Sequence, residues 1–384
     1  MAANPVRILH VIGAMNRAGA ETMVMNLYRA CDTSQVQFDF LVNDAGDYDD
    51  EIRERGGRIW QIPRFTLANY RAYRAACHEF FATHDDFSVV HGHIGLPYAI
   101  YLDEARKSGH FTIAHSHAQN YPLSPQELVF RLVTRPVRGK ADYYLACSQQ
   151  AGIDRFGKAI CADDKIFHIL NNGIDVESYR FDEAVRASAR AELGIDAATP
   201  VFGHVGRFDQ VKNHRFLLET FACILQRMPD AKLMLVGRPD ENGTVHTYAE
   251  ELGIANSVLF LGVREDVPRM LCAMDTFIFT SFKEGLGMAV VEAQASGLPC
   301  VVSNGVPQIA NVSSLPVFLD LDTGAQAWAD EAVRRYTEGV ADRAAHIATV
   351  RAAGFDIAET AAWLQNFYLS HAVQTVSSGL LLTV

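Results

Sequence analysis

Two short stretches of this chain carry residues whose types and spacing could do chemistry. The first, Gly206-Arg207-Phe208-Asp209-Gln210-Val211-Lys212-Asn213, sets two cations five residues apart. It lies between an apolar run at 201–205 and a helix-period stretch at 214–227. An arginine fork, a lysine point charge and the positive end of a helix can together hold a diphosphate. A solvated basic loop would have the same composition, so the pair alone does not decide. The second stretch, Glu284-Gly285-Leu286-Gly287-Met288-Ala289-Val290-Val291-Glu292, follows an apolar run at 276–280. Its glycines let backbone N–H groups turn toward an anion where the next helix starts. Glu284 precedes that helix and Glu292 lies roughly one turn into it. One carboxylate can meet sugar hydroxyls while the other grips a ribose; a helix cap plus a surface acid is the plainer reading.

Histidines form a third group. His91 and His93 end one strand-like run, and His115 and His117 end another. Alternate strand residues share a face, so each pair could chelate, and all four together could bind zinc. No carboxylate or cysteine accompanies them locally, so no metal site is expected. A neutral histidine there could instead orient a hydroxyl or a sugar, or simply be hydrogen-bonded in the fold. The segment 124–140 mixes Leu128, Val129, Phe130 and Leu132 with Arg131, Arg135, Arg138 and Lys140 at helical spacing. It reads as a helix started by Pro125 and stopped near Pro136, either packed with snorkelling arginines or lying against anionic lipid.

These groups need strands and helices to position them. The chain opens with Arg7-Ile8-Leu9-His10-Val11-Ile12-Gly13, then Ala18-Gly19-Ala20-Glu21 as a glycine loop, then a helix over 22–30. The plan recurs from Pro200-Val201-Phe202-Gly203-His204-Val205-Gly206. Further apolar runs stand at 38–42, 89–91, 111–114, 232–236, 258–261 and 299–303. Continuous apolar strands alternating with amphipathic helices imply parallel sheets covered on both faces. The fold class expected is therefore α/β, with two Rossmann-like parallel-sheet domains facing across a cleft. Ligands of such sheets bind beyond the carboxyl ends of the strands. The turn Asn171-Asn172-Gly173-Ile174-Asp175 marks the crossing. The expected domains are 1–175, 176–355, and a segment 356–384 that crosses back and presents Trp363 and Phe367 on one face.

Length and composition bound the alternatives. A chain of 384 residues is too long for one ordinary core. A net charge of -11 argues against a nucleic-acid partner, which needs a basic footprint. Seven scattered cysteines without a C-x-x-C pair argue for a reducing compartment and no disulfide framework. No signal-like leader and no apolar run of ~20 residues is read, so a cytoplasmic protein is expected.

The motifs taken together resemble glycosyltransferase family 4, of GT-B fold, and within it the bacterial capsular and exopolysaccharide enzymes. Glu284-x7-Glu292 resembles that family's E-x7-E signature, and Gly206-Arg207 with Lys212-Asn213 its diphosphate loop. Gly19-Ala20-Glu21-Thr22 with Asn26-Leu27 resembles its N-terminal glycine loop, and Asn172-Gly173-Ile174-Asp175 its interdomain turn. Ala18 stands where a second glycine is usual, and similarity weakens beyond Val306. The resemblance implies a retaining, metal-independent transferase without a cofactor. It acts on a nucleotide-sugar, a UDP-sugar by expectation, and on a saccharide or lipid-linked acceptor. Arg207 and Lys212 would neutralise the leaving diphosphate, Glu292 bind the ribose and Glu284 the transferred sugar. Backbone of Gly285, Leu286, Gly287 and Met288 would hold sugar and phosphate, and Gly206 and Gly262 would edge the donor. Gly19, Ala20 and His117 would face the acceptor, with His115 near the reacting carbon. A nucleotide-sugar epimerase and a non-catalytic nucleotide-sugar-binding regulator remain as alternatives. A dinucleotide oxidoreductase lacks the G-x-G-x-x-G loop after its first strand.

Overall fold

The computed structural model describes residues 4–17, 19–93, 95–117 and 125–379, leaving the side chains of 125, 126 and 373–379 aside. The chain divides into two compact units, one of residues 1–173 with 357–384 and one of residues 174–356.

The first unit is built on a seven-stranded parallel sheet ordered β3-β2-β1-β4-β5-β6-β7. Its strands are β1 (Val6–Val11), β2 (Val36–Val42), β3 (Ile59–Gln61), β4 (Val89–Gly92), β5 (Phe111–Ser116), β6 (Tyr143–Ala146) and β7 (Phe167–Ile169). Nearly every residue of β1, β2 and β4 is buried, which is why they read as unbroken apolar runs. Core side chains pack on both faces. Phe80, Tyr101 and Phe156 belong to one layer, and Tyr28, Phe38, Phe40 and Tyr368 to the other. The Ile357–Gly379 helix closes the second layer against the Gly19–Ala30 helix. Its deepest residues are Leu364 and Tyr368. Trp363 and Phe367 are half-buried beside them, their rings stacked 5.2 Å apart.

The second unit carries a six-stranded parallel sheet ordered β10-β9-β8-β11-β12-β13. Its strands are β8 (Val201–Val205), β9 (Lys232–Val236), β10 (Val258–Gly262), β11 (Thr276–Phe279), β12 (Cys300–Ser303) and β13 (Pro316–Leu319). Asp275, at the start of β11, accepts from Arg186, Arg190 and the Val201 N–H. It thereby ties the preceding helix to the strand ends opposite the loops of interest. In both sheets the strand order reverses once, between β1 and β4 and between β8 and β11. Loops leaving such strands diverge and open a crevice at their carboxyl ends.

Several local expectations needed adjustment. The Gly19–Ala30 helix takes in Gly19 and Ala20, read above as loop. No atom lies within 4 Å of a Cβ placed at Gly19, so no close approach demands glycine there. Ala18, the departure from the glycine pattern, lies outside the described residues, as do Ser124 and residues 380–384. The helix at Pro125–Thr134 stops before Pro136, which sits in the single turn Arg135–Val137. Among the described residues all seven cysteines are free, and no helix is long and apolar enough to cross a membrane.

Candidate functional site

The two motifs of the second unit meet at its sheet reversal. Chain leaving β8 passes through Gly206 into the loop 207–213, and chain leaving β11 passes into the loop 280–287. Thr280 stitches them together, its hydroxyl donating to the carbonyls of Lys212 at 3.0 Å and Asn213 at 3.2 Å. Phe282 N–H adds a bond to Val211 O at 2.8 Å. Asp209 caps the single turn Gln210–Lys212 by accepting from the Lys212 N–H. Asn213 then reverses the chain at φ 54°, the one positive φ outside glycine among the described residues.

This stitching brings Lys212 Nζ to 2.7 Å from Glu284 Oε1, with both side chains mostly buried at 17% and 13% exposure. The ammonium also lies 4.8 Å from the Phe279 ring centre. Arg207, by contrast, is 71% exposed and, among the described residues, pairs only with Asp209, at 3.5 Å. The two cations therefore differ in kind: Lys212 is fixed and paired, whereas Arg207 is free to reorient. Gly206 makes this arrangement possible. A Cβ there would fall 3.0 Å from His204 Nε2 and 3.2 Å from Lys212 Cε.

The second motif folds as its glycines suggest. Gly287 sits at φ 85°, ψ 50° immediately before the Met288–Ala295 helix. A Cβ there would strike Val306 Cγ1 at 2.7 Å in addition to the unfavourable φ. Glu284 N–H bonds Gly305 O at 2.9 Å, anchoring the start of the loop. Glu292 is half-buried on the helix, with the Tyr179 hydroxyl beside its carboxyl. Burial lifts its carboxyl to about 7, against partial relief from Tyr179 and the Lys212 charge. Glu284 is thus held in an ion pair with Lys212, and Glu292 is poised between protonation states. A fixed ammonium, a mobile guanidinium, a helix start and two acids make a site suited to a diphosphate carrying hydroxylated rings.

Two contributors to this site carried no expectation from the sequence. Gly237, at φ 149° after β9, packs so closely on Gly206 O that no side chain fits between them. Its N–H also bonds Gly262 O at 2.8 Å, so Gly206, Gly237 and Gly262 line up at the ends of β8, β9 and β10. The strand-then-glycine signal of Val236-Gly237 was present and resembles that of Val205-Gly206. Tyr179 had no signal, because it approaches Glu292 from a separate turn, Val176–Tyr179.

In the first unit the sheet reversal holds a cluster of five histidines. The register pairs His10 of β1 with His91 of β4, and β5 brings His115 and His117 beside His93. His10 Nδ1 lies 2.9 Å from His93 Nε2, and His93 Nδ1 lies 2.7 Å from His117 Nε2. His91 Nε2 lies 3.2 Å from His115 Nδ1, and His91 Nδ1 lies 2.6 Å from the Tyr368 hydroxyl. Burial holds all five imidazoles neutral, that of His10 down at about 3 and that of His117 at about 4. His115 has no exposed surface, whereas His117 is part-exposed. His10 was not anticipated, since only strand pairing brings it to the others.

The comparisons with known proteins agree with this architecture. Residues 17–178 match the family model Glycosyltransferase Family 4, and residues 185–314 match Glycosyl transferases group 1. The chain is similar to EpsF of Bacillus subtilis (strain 168), named as a glycosyltransferase. The two are 35% identical over 372 residues, 94% of this chain and 96% of EpsF. A segment of 152 residues, 38% of this chain and 39% of the relative, is 33% identical to an Escherichia coli enzyme. That enzyme is the UDP-Gal:alpha-D-GlcNAc-diphosphoundecaprenol alpha-1,3-galactosyltransferase. Among solved structures, Anabaena Alr3699/HepE in complex with UDP superposes with a TM-score of 0.78 at 19% identity. The match covers 95% of this chain and 100% of that one, and shows a shared GT-B fold.

Proposed function

The chain belongs to glycosyltransferase family 4, and from that premise we propose that it is a retaining, metal-independent hexosyltransferase of polysaccharide assembly. It takes a UDP-sugar as donor and a saccharide or lipid-linked saccharide as acceptor. The observation that carries the reading is the Lys212–Glu284 pair beside the Gly287 helix start. A diphosphate entering the loop competes with Glu284 for the Lys212 ammonium. Glu284, once displaced, is left beside the sugar that the diphosphate carries. Binding and recognition of the donor are thereby one exchange.

The remaining roles follow from position. Arg207 swings onto the outer phosphate, and the backbone of Gly285, Leu286, Gly287 and Met288 supports phosphate and sugar. Glu292 takes the ribose hydroxyls and Gly206 and Gly262 flank the nucleoside. As the glycosidic bond breaks, negative charge grows on the diphosphate, where Arg207 and Lys212 supply the stabilisation a divalent ion would otherwise give. In the first unit Gly19, Ala20 and His117 serve the acceptor, since His117 reaches the surface and fully buried His115 acts through it. UDP in the HepE complex and the undecaprenol acceptor in the Escherichia coli enzyme's name support the substrate classes.

The Pro125–Thr134 helix favours work at the inner face of a membrane by a protein otherwise in the cytoplasm. Leu128, Val129 and Leu132 are 51%, 45% and 60% exposed on it, near exposed Arg135 and Arg138. The test is release of nucleoside diphosphate from a panel of UDP- and GDP-sugars, with and without a diphosphoundecaprenol-linked saccharide. Acceptor-dependent release from a UDP-sugar, with the product's anomeric configuration read by NMR, is the expected result. Conversion of the nucleotide-sugar without acceptor would overturn the proposal.

A further inference from the structure

The five-histidine cluster at the β1–β4 reversal is not needed by the donor chemistry, and its hydrogen-bond accounting does not close. Five imidazoles offer ten ring nitrogens. Three imidazole pairs use six of them and Tyr368 a seventh. His10 Nε2, His115 Nε2 and His117 Nδ1 remain buried with no partner among the described residues. Buried polar atoms are rarely left so.

We propose that His93, His115 and His117 form a binding site for one divalent transition-metal ion of the zinc class, separate from the donor site. Each of the three offers a ring nitrogen, and these atoms all lie within 4.8 Å of one another. Nitrogens that share a tetrahedral ion at Zn–N ~2.0–2.1 Å stand roughly 3.3 Å apart, so a modest rotation of the rings completes the site. His10, His91 and His93 also meet the distance condition. The outer triad is preferred because His93 and His117 are part-exposed and give an ion a way in, whereas His10 and His91 have no exposed surface.

The surrounding contacts fit a ligand set. Histidine ligands ordinarily have their second nitrogen held by another group, which fixes the tautomer. Here His93 Nε2 is held by His10 and His115 Nδ1 by His91, itself held by Tyr368. That leaves the unpartnered His115 Nε2 to face an ion, while His93 Nδ1 and His117 Nε2, hydrogen-bonded to each other at 2.7 Å, would exchange that bond for the metal. Three imidazoles without a carboxylate or thiolate suit zinc, cobalt(II), nickel(II) or copper(II) rather than magnesium or calcium. With three protein ligands a fourth position stays open to water, and the transfer reaction itself does not call on the ion.

The test uses the full chain without a polyhistidine tag. Protein freed of metal by chelator dialysis is titrated with cobalt(II) and zinc(II), and metal content is measured after gel filtration. The expected result is one ion per chain, with a cobalt(II) visible spectrum typical of low coordination number. Affinity should fall at least tenfold in His115→Gln and in His117→Gln and stay unchanged in the exposed His246→Gln. Metal content below about a tenth of an ion per wild-type chain, with no cobalt spectrum, would overturn the proposal whether or not the variants fold. Equal binding by wild type and both cluster variants would overturn it as well. Neither result bears on nucleotide binding in the second unit, so the two readings fail separately.

Discussion

Lys212 and Glu284, 72 residues apart in sequence, hold each other at 2.7 Å where the loops after β8 and β11 converge. The pair is mostly buried, and its partners are supplied by neighbouring strands of one sheet. An ammonium so placed keeps its charge ready for a diphosphate while a carboxylate occupies it.

Removal of Lys212 should therefore damage transfer more than folding. Lys212→Ala is expected to lower turnover by ~10²-fold or more, the scale of losing one preorganised electrostatic stabiliser. Steady-state kinetics with a saturating UDP-sugar checks this, and a change under threefold would remove Lys212 from the mechanism.

Glu284→Gln separates the two halves of the exchange. Without the carboxylate, Lys212 is released to the diphosphate, so UDP affinity should hold or rise. Turnover should fall by ~10²-fold because the sugar loses its partner. Calorimetry with UDP alongside transfer assays reads both. A large loss of UDP affinity would show that Glu284 supports the loop rather than the sugar.

Glu292 predicts a pH dependence of stability. Its carboxyl titrates at about 7 in the fold against an ordinary 4.5. Between those values the folded chain binds a proton that the unfolded chain releases. Stability from this group is therefore lost as pH rises from 4.5 to 7, and levels off above. The contribution is at most about 3 kcal/mol. Denaturant unfolding at pH 5 and pH 8 should show a smaller decline in Glu292→Gln than in the wild type. Identical declines would contradict the buried placement.

Two glycines two positions apart should behave differently. Gly287→Ala meets both a positive φ and the Val306 side chain, and should cost ~1–3 kcal/mol of stability. Gly285→Ala has open space around its Cβ and no such φ, and should cost under ~0.5 kcal/mol. Comparable melting temperatures for the two variants would show that the loop geometry is wrong.

The exposed apolar and basic residues of the Pro125–Thr134 helix and the turn after it predict lipid binding. Changing Arg131, Arg135 and Arg138 together to Ser should abolish sedimentation with anionic vesicles and leave neutral vesicles unaffected. Arg131 is partly committed to Glu127 at 2.8 Å, so Arg135 and Arg138 should account for most of the loss. Retained vesicle binding in the triple variant would discard the membrane contact.

Much of this site was legible in the sequence because its parts are local. A strand, a glycine and a helix start lie within a dozen residues around Lys212 and again around Glu292. The helix at His214–Arg227 and the strand at Lys232–Val236 carry full-length apolar periodicity, and their bounds follow from it. What stayed hidden was set by pairing across the sheet. The edge strand β3 is only three residues long and half-buried, and β13, though apolar throughout, is four residues long and opens on a proline, so neither announces itself as a strand. Tyr179 on Glu292 and His10 on His93 join residues from distant segments, which no local spacing announces. The Lys212–Glu284 pair is of the same kind: each residue stood out alone, but their contact required the β8–β11 adjacency.

The most direct test of the central claim is calorimetric titration of the full chain with UDP, GDP and ADP in magnesium-free buffer. One site per chain is expected, selective for UDP, abolished by Glu292→Ala and weakened by Lys212→Ala. Absence of binding to all three nucleotides, or binding unchanged in both variants, would contradict it.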